Sequence, residues 1–228
     1  MTFTNNFEQV RAVVFDLDGT LLNTLDDLAN ATNWALRKNG LPERTLDEVR
    51  RFVGNGVRRL IERAVPEGVA SDVLESTFDD FKAYYVQHCQ DQTCLYEGVA
   101  PMLAALKQQG LRLAIVSNKL QEGVDELFHR YFSTTVEVAV GESPSVARKP
   151  APDMVFAALQ ELGVAPNEAI YVGDSDVDLQ TAHNSGLPCI SVLWGFRDRD
   201  FLLAHGATCM VERPAEIVSL LHQHDEQS

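Results

Sequence analysis

The run Ala12-Val13-Val14-Phe15, followed at once by Asp16-Leu17-Asp18-Gly19-Thr20, limits the possible folds more than any other stretch. Four consecutive apolar residues, β-branched and aromatic, suit a strand buried on both faces, as in a parallel sheet. Two carboxylates at a spacing of two fall on one side of an extended chain. Gly19 then lets the backbone turn sharply, and Thr20 offers a hydroxyl and an amide beside the acids. Two like charges left at a strand end are costly unless a cation or a reaction uses them. A hairpin turn at Asp18-Gly19 would need a partner strand, whereas a helical pattern follows from Leu25. A calcium loop needs its glycine later than Gly19, which follows Asp16 by three. A strand-to-helix turn with incidental acids stays open on this stretch alone.

From residue 23 to about residue 91 the pattern is helical only. Leu25, Leu28, Ala29, Thr32, Ala35 and Leu36 recur at helical spacing until Gly40 and Pro42. Thr45 and Glu48 form a capping-box pattern that opens a second helix. A further helix is expected over residues 71–88, with Phe78, Phe81 and Tyr85 on its apolar side. Between them lies Gly54-Asn55-Gly56-Val57-Arg58-Arg59. It reads equally as a helix–helix corner or as free amides at a helix N-terminus, joined by Arg58 and aimed at an anion.

Beyond residue 91, strands and helices alternate. Apolar strands are expected over residues 111–116, 135–140, 169–172 and 189–193, with an edge strand over 208–211. Helices are expected over about 101–109, 121–130, 152–162, 177–184, 199–204 and 215–221, and a frayed tail over 222–228. The strand over 111–116 ends in Ser117-Asn118-Lys119, and the one over 169–172 ends in Gly173-Asp174-Ser175-Asp176-Val177-Asp178. Lys149 sits between strand and helix, its backbone constrained by Pro150 and Pro152. An alternating pattern of this kind predicts an α/β fold: a parallel sheet flanked by helices, with an inserted all-helical block over the acidic turn. The expected division is residues 1–22 and 92–228 for the core and 23–91 for the cap.

A net charge of −14 argues against nucleic-acid and anionic-membrane partners. An anionic substrate must then be drawn by local positive charge or a metal. Cys89, Cys94, Cys189 and Cys209 show neither CxxC nor zinc spacing and read as reduced thiols. With no signal-peptide pattern over residues 1–9 and no apolar run of membrane-spanning length, a cytoplasmic location is expected.

Parallel strands carry their C-terminal ends to one edge, so Asp16, Asp18, Ser117, Asn118, Lys149, Asp174 and Asp178 converge there. Excess carboxylate oxygen without His or Cys suits a hard cation, most simply Mg²⁺. The remaining donors suit a phosphoryl group, whose transfer needs positioning and charge neutralisation. An aspartate nucleophile would form an aspartyl-phosphate, with a second aspartate as general acid and then base.

Asp16-x-Asp18-Gly-Thr-Leu, Ser117-Asn118, Lys149-Pro and Gly-Asp174-Ser-x-x-Asp178 together resemble, in order, the four motifs of the haloacid dehalogenase-like phosphohydrolases. That resemblance implies a Rossmann-like parallel sheet core flanked by helices with an inserted all-helical cap domain, and it implies Asp16 as nucleophile and Asp18 as acid and base, with Thr20, Ser117, Asn118 and Lys149 around the phosphoryl group. Asp16, Asp18 through its carbonyl, and Asp174 would ligate Mg²⁺, with Asp178 supporting them from behind. Phe52-Val-Gly54-Asn-Gly56 and Leu193-Trp-Gly195-Phe look like the phosphoglycolate phosphatase branch, whose small substrate would meet Gly54, Asn55, Gly56 and Arg58 in the cap. Asn23 departs from the aspartate common in relatives, at the junction leading into the cap. A β-phosphoglucomutase-like mutase and a phospho-accepting receiver-like module are the alternatives.

Overall fold

The computed structural model of the protein describes residue 7 and residues 9–222. Most of the sequence read for a leader, and the tail expected beyond His222, lie outside the described residues. Six strands form one sheet in the order β5-β4-β1-β6-β7-β8: β1 Ala12–Phe15, β4 Arg112–Leu120, β5 Val138–Glu142, β6 Ala169–Gly173, β7 Cys189–Val192 and β8 Met210–Val211. Every neighbouring pair is parallel, and β1 sits between β4 and β6 with Phe15 opposite Ile115 and Val172. Alternate residues of each strand supply opposite faces. Val13, Phe15, Leu113, Ile115, Ile170 and Val172 pack against α5 (Val99–Gln108), α6 (Gln121–Leu127) and α10 (Pro214–Leu220). Ala12, Val14, Ala114, Val116 and Tyr171 pack against α7 (Asp153–Leu162) and α8 (Asp176–Ser185).

Helices α1 (Leu25–Lys38), α2 (Leu46–Phe52), α3 (Gly56–Ala64) and α4 (Ser71–His88) close around an apolar core of their own. The capping box at Thr45 is formed, Thr45 Oγ1 accepting from Glu48 N while Glu48 accepts from Thr45 N. One residue from outside the block, Phe196, joins this core. The chain passes between block and sheet twice, through a two-stranded antiparallel ribbon of β2 (Leu22–Asn23) and β3 (Cys94–Leu95). Buried Asp27 fastens the crossing by accepting from the amides of Gln92 and Thr93 and from Thr93 Oγ1. Among the described residues, no helix is long and apolar enough to cross a membrane.

Three boundaries differ from the sequence reading by three residues or more. β4 does not stop at Val116 but continues to Leu120 after a register shift against β5. The helix expected over 121–130 gives way after Leu127 to a wider π turn, Phe128–Phe132. β5 begins at Val138 rather than residue 135, because the amides of Thr135 and Val136 still donate to Phe132 O and close the helical segment.

Candidate active site

The C-terminal edge of the sheet gathers the chemistry-bearing residues around one cavity of about 60 Å³, roofed by Val53, Gly54, Gly56, Val57 and Leu60 of the helical block. Asp16 and Asp18 follow β1, Ser117, Asn118 and Lys119 lie at the end of β4, and Asp174, Ser175 and Asp178 follow β6. The turn after β1 is tight, the amides of Leu21 and Leu22 both donating to Leu17 O. Gly19 adopts φ 94° there, and a side chain on it would collide with the Asp174 carboxylate. A side chain on Gly195 would strike the same carboxylate. Two glycines thus let two loops close on Asp174.

Asp16 is buried, and its Oδ1 receives Lys149 Nζ at 2.5 Å while its Oδ2 receives Thr20 Oγ1 at 3.3 Å. Lys149 also donates to Asp178 Oδ1 at 2.8 Å and to Tyr171 Oη at 3.1 Å. Asp178 is engaged at both oxygens, since Oδ2 accepts from Ser175 Oγ at 2.6 Å and from the amides of Asp174 and Ser175. Asp174 Oδ2 takes the Phe196 amide at 2.6 Å.

The carboxylate oxygens of Asp16, Asp174 and Asp178 lie within 4.8 Å of one another. Burial, then the Asp178 charge, pushes Asp174 up to about 7. The same two causes hold Asp16 well above the usual carboxylate range, against the pull of Lys149. Burial opposes the Lys149 ammonium, yet Asp16 and Asp178 keep it well above its ordinary value. One ammonium among three buried carboxylates leaves net negative charge in an all-oxygen pocket. That donor set fits a hard divalent cation, which would reverse the upward push on the acids.

Not every residue singled out from sequence faces the cavity. Thr20 is buried, does not line the cavity and holds Asp16 rather than a phosphate. Asn118 does line it, but its amide clamps the Lys149 loop, accepting from Lys149 N at 2.7 Å and donating to Lys149 O at 3.0 Å. The hydrogen bonds of both side chains run to a neighbouring site residue, Asp16 for Thr20 and Lys149 for Asn118. The largest correction concerns Arg58, whose guanidinium is bound by Glu75 at 2.5 and 2.8 Å and by Glu62 at 3.1 Å and stacks on Phe78. It points along the helical block, away from the cavity. The Asn55 side chain likewise accepts from Arg63 Nη2 at 2.8 Å. Of the four cap candidates, Gly54 and Gly56 line the cavity.

Tyr171, Lys119 and Arg197 belong to the site without standing in any of the motifs as a functional group, and Trp194, part of the Leu193-Trp-Gly195-Phe motif, serves it through the backbone. Tyr171 sits inside an apolar strand, where its ring belongs to the core and its hydroxyl donates to Asp178 Oδ1 at 2.9 Å. Lys119 is almost wholly buried between Asp18, at 3.6 Å, and Tyr85 Oη, at 2.6 Å. Burial pushes the Tyr85 phenol up to about 12, so it accepts this bond as a neutral group. Arg197 donates to the carbonyls of Arg50 at 2.8 Å and Val53 at 2.7 Å, while Arg50 returns a bond to Gly195 O at 2.9 Å. Trp194 Nε1 donates to Thr20 O at 2.9 Å.

A family description, "Haloacid dehalogenase-like hydrolase", matches residues 13–192, which include all four strand-end motifs. The chain belongs to that family. It is an enzyme of the branch whose curated members include phosphoglycolate phosphatases. The phosphoglycolate phosphatase of Aquifex aeolicus is 32% identical over 221 residues, covering 94% of this chain and 98% of the relative. That of Escherichia coli K12 is 32% identical over 220 residues, covering 84% of each. A solved structure from Lactobacillus delbrueckii subsp. bulgaricus, provisionally named a phosphoglycolate phosphatase, superposes with a TM-score of 0.89. It is 34% identical and covers 92% of this chain and 98% of that one.

Proposed function

We propose that this hydrolase cleaves a small phosphomonoester through an aspartyl-phosphate on Asp16, and that its substrate is 2-phosphoglycolate. The observation that carries the reading is the roofed cavity in which Asp16, Asp18, Ser117 and Lys149 meet. By the space a water needs, a volume of about 60 Å³ holds roughly five waters. That is the scale of a phosphoryl group with a short substituent rather than of a phosphosugar, which disfavours the mutase. Membership of a hydrolase family removes the support for a receiver-like module. The names of the curated relatives favour the same substrate.

An oxygen of Asp16 attacks phosphorus as the bond to the ester oxygen breaks, and Asp18 supplies the proton that the leaving alkoxide needs. Asp18, now a carboxylate, takes a proton from water as that water attacks phosphorus. The Asp16–phosphoryl bond then breaks, inorganic phosphate leaves, and both aspartates return to their starting state. Lys149 orients Asp16 and faces the phosphoryl oxygens, Ser117 donates from the other side, and Asp178 with Tyr171 fixes Lys149. A Mg²⁺ held by Asp16, Asp174 and the Asp18 carbonyl would neutralise charge on the phosphoryl oxygens. Residues 23–91 act as the cap that excludes water, residues 1–22 and 92–228 as the catalytic core, and the enzyme works in the cytoplasm on a free metabolite.

A panel of phosphomonoesters, assayed with Mg²⁺ and after chelation, tests the reading. The highest kcat/KM is expected for 2-phosphoglycolate, with Mg²⁺ required. A phosphosugar or a nucleotide as the best substrate would refute the substrate assignment.

A further inference from the structure

With Arg58 turned away, the far end of the substrate needs another cation. Three line the cavity: Lys149, Arg197 and Lys119. Lys149 is engaged by Asp16, Asp178 and Tyr171 at 2.5–3.1 Å. Arg197 is engaged by main-chain carbonyls of α2 and Val53. Lys119 differs. Its ammonium carries three N–H donors, and it makes one hydrogen bond, to Tyr85 Oη at 2.6 Å, with the Tyr85 ring lying 4.7 Å away. Asp18 Oδ1, at 3.6 Å, is beyond hydrogen-bond reach, and that buried oxygen itself has no hydrogen-bond partner. An ammonium with spare donors and a side chain only 9% exposed therefore stands beside the acid that must reach the leaving oxygen.

We infer that Lys119 is the specificity residue of this site, its ammonium receiving a carboxylate borne on the carbon next to the ester oxygen. The assignment rests on the proposed phosphatase reading and deepens it. Asp18 must lie within hydrogen-bond reach of the ester oxygen to protonate it. In 2-phosphoglycolate the carboxylate carbon is two bonds from that oxygen, so a carboxylate whose ester oxygen faces Asp18 comes within reach of the neighbouring Lys119 ammonium. The amides around Gly54 and Gly56 close the same space from above. Tyr85, on α4 of the helical block, aims the ammonium, so the block contributes to selectivity through Lys119 rather than through Arg58. A phosphomonoester with an uncharged substituent gains nothing from this contact.

The test is the ratio of kcat/KM for 2-phosphoglycolate to that for ethyl phosphate, which has similar size and no carboxylate. It is measured with Mg²⁺ on the full-length wild-type protein and on Lys119→Met, Lys119→Gln and Lys119→Arg. Losing one charge-assisted contact should lower the ratio about ten- to a hundredfold in the Met and Gln variants. Lys119→Arg, which keeps the charge, should retain part of the preference. Two neutral variants of different polarity guard against a folding failure in either one. A high wild-type ratio that survives both neutral substitutions, even with both rates lowered, overturns the role of Lys119 and leaves the substrate reading intact. A wild-type ratio near one overturns the substrate reading itself.

Discussion

Replacing Arg197 with methionine removes the tie that holds the helical block against the sheet edge. Its two short bonds run to Arg50 O at 2.8 Å and Val53 O at 2.7 Å, with a longer one to Arg51 O at 3.4 Å. These carbonyls close α2, where a helix leaves its last acceptors unpaired and favours a cation. Hydrogen bonds to charged groups are worth about 1.5–3 kcal/mol each, and the freed carbonyls can rehydrate, so the lower figure applies. Two such bonds give about 3 kcal/mol, roughly a hundredfold shift away from the docked arrangement. The loop carrying Arg197 also supplies the Phe196 amide to Asp174 and seats the Phe196 ring in the core of the block. Loosening that loop therefore disturbs the acid cluster together with the roof. Arg197→Met should lower kcat/KM for 2-phosphoglycolate by up to about a hundredfold while the sheet core stays folded. Arg50→Met, which loses one bond to Gly195 O, should have a smaller effect, and the double variant should fall short of the sum. Steady-state kinetics with a parallel melting curve decides the matter. Wild-type kcat/KM in a folded Arg197→Met variant would refute the reasoning.

Three further outcomes follow from the same geometry. Asp27→Ala leaves the Gln92 amide and the buried Thr93 amide and hydroxyl without their acceptor and should destabilise the protein by about 2–4 kcal/mol in urea unfolding; a loss under about 0.5 kcal/mol would contradict the role given to it. Arg58→Ala should leave the ratio of kcat/KM between 2-phosphoglycolate and ethyl phosphate near wild type, because its guanidinium serves Glu62 and Glu75; a tenfold drop in that ratio would return Arg58 to the site. Asp174 has its pKa raised to about 7 in the folded protein, so protonation favours the folded state, and the stability it lends the metal-free protein is lost as pH rises through that value. The melting temperature of chelated protein should accordingly fall between about pH 4, the usual carboxylate value, and about pH 7, and added Mg²⁺ should raise it more at the upper end; an equal gain at both ends would contradict the carboxylate site.

The residues legible in the sequence are those whose position follows from strand direction alone. Asp16, Asp18, Ser117, Asp174 and Asp178 each sit at or just beyond the end of an apolar run, and parallel pairing brings such ends together whatever the loops do. Lys119 was hidden because β4 continues past Val116 through a register shift, which carries it alongside Asp18 and Tyr85 instead of into a solvated helix cap. Arg58 misled for a local reason. Glu62 stands four residues along α3, and a guanidinium at that spacing has a partner on its own helix before any ligand arrives. Arg197 shows no local pattern, since its partners are about 145 residues away in sequence and are met only when the block docks. Thr20 and Asn118 were legible as site residues, but not their bonds to Asp16 and to the Lys149 backbone, because a hydroxyl or amide at a strand end can serve a protein group as readily as a ligand.

The central claim is covalent: Asp16 carries the phosphoryl group during turnover. Enzyme mixed with 2-phosphoglycolate and Mg²⁺, quenched in acid and digested, can be searched by mass spectrometry for the phosphorylated peptide, alongside a folded Asp16→Asn variant. The account predicts phosphate on Asp16 in the wild type, and neither phosphate nor turnover in the variant. Phosphate on a different residue, or near-normal turnover by Asp16→Asn, would contradict it.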